Sequence, residues 1–320
     1  MKEITLKAYA KVNLALKVRG RERGYHLLDM LNVSVNIFDT VTVRKRTDGK
    51  VTAGSDIYIK GNNALRVAEY IIKKYNLGGV DIYIEKGIPI GGGLGGSSAD
   101  SAAVIYALGR LYDIKFAEDF IEFGSDIPFQ LIGGVKIVGG RGEHIEAADE
   151  CFEALSKYKF LIVKPDGNTD AGEIFRQYDN AGKGCLKGKF PSTEGWTAEP
   201  DGVVQCKLKS DKNNQTNFSS ESLKEAIFTA DREGICRNAQ NSLYEAVCAI
   251  MPEVGEIREY LAGKAEFAVM SGSGSSIVAA FLDGNALMES AVFFKEKEYY
   301  TVITEPVPYG VTENIFSAGS

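Results

Sequence analysis

The sequence is poor in the residues that build metal and disulfide frameworks: its 320 residues include two histidines and five cysteines. Cys151, Cys185, Cys206, Cys236 and Cys248 are odd in number, widely spaced and free of any C-x-x-C pair. Free thiols in a reducing compartment are expected from that pattern, so the chain is read as cytoplasmic. Two isolated histidines and no ligand cluster give no reason to expect a structural zinc site. No apolar run approaches the ~18 residues of a membrane span. Lys7, Lys11 and Asn13 interrupt the apolar core that an N-terminal signal peptide would need. Basic charge is lacking too: the net charge of −6 at pH 7 is not that of a general nucleic-acid binder. Neither a membrane nor nucleic acid is therefore an expected partner.

What remains is an ordinary globular composition, 44% apolar and 25% charged. The length favours two domains, placed at 1–156 and 157–320. Ile4, Leu6, Ala8, Ala10, Val12, Leu14, Leu16 and Val18 alternate with Lys7, Tyr9, Lys11, Asn13 and Lys17. Period two predicts a long half-buried strand whose polar face carries Lys11 and Asn13, about 7 Å apart. Gly20–Gly24 reads as a loop, and Leu31–Ile37 and Thr40–Lys45 as strands broken at Asp39. Asn62-Asn63 caps a helix to about Tyr75. Val80–Ile84 and Val135–Val138 read as strands. After Lys157, strands are expected at Phe160–Val163, Phe267–Met270, Ile277–Phe281 and Tyr300–Thr304. Helices are expected at Thr169–Tyr178, Ser222–Asp231 and Asn241–Ala249, then after Pro252 and before Lys297. Neighbouring antiparallel strands in this order predict an α+β fold. The stretch from about 180 to 222 is polar and aperiodic, and reads as a long loop or insertion.

The most informative run is Gly91-Gly92-Gly93-Leu94-Gly95-Gly96-Ser97-Ser98, set between Pro89 and a helix-forming stretch. So many glycines belong where backbone bends sharply or meets a ligand closely. Ahead of a helix, the loop's N–H groups and the helix dipole make an anion site, with Ser97 or Ser98 a natural N-cap. Gly91, Gly93 and Gly96 satisfy G-x-G-x-x-G, but no clear strand ends in an acidic residue at the spacing a dinucleotide fold wants. A Walker loop fails because Ser97 stands where lysine is required. A third pattern, P-x-G-G-G-L-G-G-S-S, wraps a triphosphate with backbone N–H groups and serine hydroxyls alone.

Pro89–Ala103 resembles the phosphate loop of the GHMP kinases. Met270-Ser271-Gly272-Ser273-Gly274-Ser275 resembles that family's third motif. Three further segments resemble one branch of it, whose acceptor is a cytidine diphosphate-linked methylerythritol. They are Lys11-Val12-Asn13-Leu14 with Gly24-Tyr25-His26, then Ser125–Phe129, then Asn241-Ser242-Leu243 with Met251-Pro252-Glu253. The likeness covers nearly the whole chain apart from about 180–222. Arg23 stands where the branch carries aspartate, and the segment between Leu111 and Ser125 is short.

The resemblance implies a ribosomal-protein-like N-terminal domain and a ferredoxin-like C-terminal one. It implies ATP and Mg2+ as cofactors, a small-molecule acceptor, and a monomer or homodimer. Lys11 and Asp126 would be catalytic, with Asp126 accepting the acceptor's proton. Asn63, Pro89, Gly91, Gly92, Gly93, Leu94, Gly95, Gly96, Ser97 and Ser98 would bind ATP. Asn13, Tyr25, His26, Phe175, Ser271, Gly272, Ser273 and Gly274 would bind the acceptor, with aromatic rings stacked on its pyrimidine. Ser98 and Asp100 stand near where Mg2+ would sit, without fixing a ligand set.

Read from the residues alone, several of these positions stay open. Asp126 suits a turn before Pro128 equally well. Lys11 suits a solvated strand face, Phe175 a core position, and Asn62 or Asn63 a helix cap. A homoserine or mevalonate-type acceptor, or a nucleotide-binding homologue without catalysis, are the alternative functions.

Overall fold

The protein is described by a computed structural model covering residues 1–58, 61–181 and 218–313. Most of the polar stretch expected at about 180–222, with Cys185 and Cys206, lies outside the described residues. The first strands are long: β1 is Glu3–Glu22 and β2 is Tyr25–Lys45, paired antiparallel along nearly their whole length. The expected loop at Gly20–Gly24 shrinks to the turn Arg23-Gly24, because Gly20, Arg21 and Glu22 still pair with Leu27, His26 and Tyr25. Both turn residues have positive φ, 48° and 89°. Such a turn matches the right-handed twist of its flanking strands.

The expected break at Asp39 is absent too. Asp39 pairs with Ala8 inside β2, and the irregularity is a register shift between Tyr9 and Ala10, whose partners are Phe38 and Val35. A bulge of this kind absorbs the residue that the sequence pattern shows as a break. Nor is β1 half-buried throughout. From Ala8 to Leu16 both faces are covered, so Lys11 and Asn13 are buried.

The remaining elements of this half follow in order. They are β3 (Val51–Ser55), α1 (Asn63–Tyr75), β4 (Val80–Glu85), α2 (Gly96–Tyr112), α3 (Ile127–Ile132), β5 (Val135–Gly140), β6 (His144–Ala147) and α4 (Phe152–Leu155). Asn62 caps α1 by accepting from the Leu65 N–H at 3.2 Å. The α2 cap differs from expectation. Gly95, in left-handed conformation, holds the N-cap position, and Ser97 and Ser98 lie inside the first turn.

The later elements are β7 (Lys159–Lys164), α5 (Ala171–Ala181), α6 (Ser220–Phe228), α7 (Arg232–Asn238), α8 (Tyr244–Cys248), α9 (Glu253–Ala262), β8 (Phe267–Met270), β9 (Ile277–Phe281), α10 (Gly284–Glu296), β10 (Tyr300–Thr304) and β11 (Val311–Glu313). Helix α7 was not expected from the sequence, and α8 is shorter than the expected Asn241–Ala249.

Two sheets result, giving the expected α+β class. The first runs β11-β1-β2-β4-β3, with β5 and β6 on the far edge of β2; the second is a four-stranded sheet, β10-β7-β9-β8. All pairs in the second sheet are antiparallel. Its spatial order is fourth, first, third, second, the ferredoxin-like arrangement. Strand β11 lies far along the second stretch of chain, yet it pairs with β1 at Leu6–Ala8. Helix α2 is buried on almost every side, and its Ala99, Ala103, Val104, Ala107 and Leu108 join the same core as β1, β2, α1 and α6. A second core gathers Phe129, Val163, Ile174, Val247 and Phe294 around the four-stranded sheet.

Candidate active site

The glycine run leaves the β4 side of the first sheet and is clasped from the other half of the chain by residues 271–276. Ser271 Oγ donates to the Gly93 carbonyl at 3.0 Å, and the Ser276 N–H donates to the Gly92 carbonyl at 3.2 Å. Thr169 Oγ1 donates to the Gly274 carbonyl at 2.8 Å. Leu94 is buried, and its carbonyl accepts from the Lys11 N–H at 3.0 Å, tying the loop to β1.

Glycine is needed at the meeting point. Gly93 has φ +73°, and a Cβ on it would lie 2.2 Å from the Ser271 carbonyl oxygen. Across the gap, a Cβ on Gly272 (φ +56°) would lie 2.8 Å from the Gly93 oxygen. No larger residue fits two backbones this close. Ser97 is exposed on the rim, and Asn63 Nδ2 donates to its hydroxyl at 3.3 Å. Pro89, Ser98 and Ser273 are partly exposed around the same corner.

Lys11 and Asp126 meet beside this loop. Lys11 Nζ lies 3.3 Å from Asp126 Oδ2 and donates to Asn13 Oδ1 at 2.7 Å. The lysine side chain is 4% exposed and the aspartate 24% exposed, so the pair opens to solvent on the carboxylate side. Asp126 occupies the N-cap position of α3, but its side chain makes no capping hydrogen bond. Its carboxylate is therefore aimed at Lys11 and not at its own helix. Asn13 is fixed in turn: Nδ2 donates to Asn32 Oδ1 at 2.6 Å, and its N–H donates to Ser271 Oγ at 3.1 Å. Ser271 thus bridges β1 and the glycine loop.

Asn241, not singled out as a site residue from the sequence, braces this corner. Its Nδ2 donates to the carbonyls of Met270 and Gly272, both at 2.8 Å. Its neighbour donates to β1 through the Ser242 N–H and the Leu16 carbonyl, 2.8 Å apart.

The tip of the β1–β2 hairpin and α5 enclose a cleft of about 300 Å³. Tyr25, His26 and Phe175, far apart in sequence, all line it. His26 stacks on Phe175 with ring centroids 4.5 Å apart, and its Nε2 lies 2.8 Å from Asp179 Oδ1. Arg21 holds the other Asp179 oxygen at 3.1 Å. Arg141 lies over the Tyr25 ring, 3.7 Å from its centroid. Arg21, Arg141, Arg176 and Asp179 are cleft residues that the sequence did not single out.

The arrangement is a glycine corner, a lysine–carboxylate pair and an aromatic cleft. A family model of the GHMP kinase N-terminal domain matches residues 62–134. A 4-diphosphocytidyl-2-C-methyl-D-erythritol kinase of Syntrophomonas wolfei is 31% identical over 307 residues, 92% of this chain and 95% of that protein. The chain belongs to the GHMP kinases. A namesake from Clostridium acetobutylicum is 30% identical over 93% of this chain and 98% of its own. The crystal structure of a 4-(cytidine 5'-diphospho)-2C-methyl-D-erythritol kinase superposes with a TM-score of 0.67 at 25% identity, covering 94% of this chain and 99% of that one. A homoserine kinase from Cytophaga hutchinsonii shares the fold, with a TM-score of 0.66 at 16% identity over 98% of both chains.

In this GHMP kinase three charged side chains gather behind the glycine loop. Asp100, in the first turns of α2, is buried and bound by Lys86 Nζ at 2.8 Å. The same ammonium binds Asp39, whose other oxygen accepts from the N–H groups of Gly87 and Ile88, both at 2.8 Å. Burial, with Asp39 nearby, raises the Asp100 carboxyl to about 8 against the pull of Lys86. A carboxyl so placed is committed to Lys86 and turned from solvent. Among the described residues no group of three or more His, Cys, Asp or Glu could hold a metal ion. Nor is any described helix long and apolar enough to cross a membrane.

Proposed function

We propose that this GHMP kinase transfers the γ-phosphoryl group of ATP to the 2-hydroxyl of 4-diphosphocytidyl-2-C-methyl-D-erythritol. It would act in the cytoplasm, as a monomer or homodimer, in non-mevalonate isoprenoid precursor synthesis. The observation that carries the reading is the buried Lys11 beside Asp126, 3.3 Å away, between the glycine corner and the aromatic cleft. The names of its full-length relatives point to the same acceptor.

Phosphoryl transfer needs a placed hydroxyl, a placed triphosphate and relief of developing charge. Backbone N–H groups of Gly91–Gly96 and the N-terminus of α2 cradle the phosphates. Mg2+ bound with the nucleotide would offset the charge of its phosphates. The acceptor oxygen attacks the γ-phosphorus as the bridging P–O bond to the β-phosphate breaks, and ADP leaves. Asp126 takes the hydroxyl proton. Lys11, held by Asn13, orients the Asp126 carboxylate and stabilises the oxygen as it gains charge. Tyr25, His26 and Phe175 hold the pyrimidine, and Ser273 at the rim faces the acceptor.

The test is ADP release from Mg-ATP with this acceptor, homoserine and mevalonate in parallel. The expected result is turnover with the cytidine compound alone, and a fall in kcat of about 10²–10⁴-fold in Asp126→Ala. Turnover confined to homoserine would overturn the acceptor, and an undiminished Asp126→Ala rate would overturn the base.

A further inference from the structure

His26 and Asp179 reach the aromatic cleft from different elements, one at the start of β2 and the other on α5. Their contact, His26 Nε2 to Asp179 Oδ1 at 2.8 Å, fixes more than position. A carboxylate can only accept, so Nε2 carries a proton. In the neutral ring Nδ1 is then a lone pair, an acceptor. Among the described residues, Nε2 is the ring nitrogen of His26 that is hydrogen-bonded within the protein.

Two neighbours keep this ring from turning over. Phe175 stacks on it, with centroids 4.5 Å apart and planes inclined by 21°, and so sets the ring plane. A half-turn about the Cβ–Cγ bond would keep that plane but set Cε1 against the carboxylate, and the hydrogen bond would be lost. The carboxylate is itself oriented. Arg21, paired with His26 across the hairpin, donates to Asp179 Oδ2 at 3.1 Å. The His26 side chain is 13% exposed and lines the cleft, so it can meet a ligand there.

We infer that Asp179 is a positioning residue that sets base specificity. By holding the proton on Nε2 it makes His26 Nδ1 an acceptor, which takes the amino group of an aminopyrimidine. The inference rests on reading the aromatic cleft as a pyrimidine site. Stacking on aromatic rings serves every pyrimidine, so the choice among them needs a directed hydrogen bond. Cytosine carries an N–H donor at its 4-position, where uracil carries an oxygen that only accepts. Facing Nδ1, the first forms a hydrogen bond, and the second sets lone pair against lone pair and leaves both unpaired. Arg21 makes the assignment testable. In Asp179→Asn the guanidinium, which only donates, draws the amide oxygen and turns the amide nitrogen toward His26. Nε2 must then accept, the ring proton moves to Nδ1, and a donor faces the base.

The experiment is nitrogen NMR of the histidine rings in the whole protein at pH 8, with titrations of cytidine and of uridine. His26 and His144 are the two histidines of the chain, and His144, 78% exposed, serves as the reference. The wild type is expected to carry the His26 proton on Nε2 and to bind cytidine about tenfold more tightly than uridine, the size of one hydrogen bond. Asp179→Asn is expected to carry it on Nδ1 and to bind uridine at least as well as cytidine, which also shows that the cleft is folded. Asp179→Ala, with nothing to hold Nε2, is expected to mix the two tautomers and to bind the nucleosides nearly alike. A wild-type ring protonated on Nδ1 overturns the inference. So does a cytidine preference unchanged in Asp179→Asn or Asp179→Ala, or a wild type that binds both nucleosides alike. Each of these results leaves the pyrimidine site standing. Binding of neither nucleoside to the wild type overturns both readings.

Discussion

The glycine corner and the aromatic cleft are built from different materials. In the corner, main chain is what is held: the Gly92 carbonyl accepts from the Ser276 N–H, the Gly93 carbonyl accepts from the Ser271 hydroxyl, and Gly93 touches Gly272 with no room for a side chain. In the cleft, side chains meet side chains: His26 on Phe175, Arg141 on Tyr25, Asp179 between His26 and Arg21. The backbone corner suits a ligand part that every kinase of this fold shares, the triphosphate. The side-chain cleft suits the part that differs between kinases, the acceptor. The corner is therefore expected to fail all at once when altered, and the cleft by degrees.

Of the two regions, the corner is expected to show the larger effect. Gly93→Ala places a methyl on the Ser271 carbonyl in a left-handed conformation. The loop must shift, and a displacement near 1 Å costs about 10²-fold in turnover. Steady-state kinetics with ATP varied would read it, and wild-type kcat/KM would break the contrast. Phe175→Ala comes next. Losing one stacking face should raise the acceptor KM about tenfold and leave kcat and the ATP KM alone. A fall in kcat instead would mean that the cleft also aligns the reacting hydroxyl.

A smaller effect is expected behind the corner. The Asp100 carboxyl is raised to about 8, chiefly by burial and then by Asp39, with Lys86 opposing. An acid raised on folding holds its proton more tightly in the native state. Its stabilisation is present below the ordinary aspartate range and is lost as pH climbs to about 8. The wild-type melting temperature should fall over that window, and Asp100→Asn should fall less. Parallel profiles would mean that Asp100 stays ionised beside Lys86. The smallest effect is expected at the hairpin, where a Cβ on Gly20 meets nothing within 4 Å. Gly20→Ala should leave stability within about 0.5 kcal/mol and activity unchanged. A large loss there would show that the ribbon leading to the cleft is as constrained as the corner.

The same contrast governs what the sequence discloses. The corner was legible because backbone-built sites need glycine, and the runs at 91–96 and 271–275 advertise themselves. The period of β1 put Lys11 and Asn13 on one face, and they are hydrogen-bonded there. Their burial was not legible, because the cover comes from 94 and 271, remote in the chain. Ser97 and Ser98 misled as caps, since a left-handed Gly95 already turns the chain into α2. Tyr25, His26 and Phe175 were named by likeness, but their partners Arg141 and Asp179 carry no local pattern. The group of Lys86, Asp39 and Asp100 is invisible for the same reason: only the fold joins three distant charges.

Strand β11 has a consequence for the life of the chain. Val311–Glu313 lie along β1 just before Lys11, and the Gly310 carbonyl accepts from the Tyr9 N–H at 2.9 Å. Gly310 also packs on α3: a Cβ there would lie 1.8 Å from the Gln130 carbonyl, one helical turn beyond Asp126. One short segment therefore steadies both members of the lysine–aspartate pair. During synthesis every residue of that corner, from Lys11 to Ser276, leaves the ribosome before this brace does. A nascent chain would carry both members of that pair and still lack their final alignment until β11 has emerged.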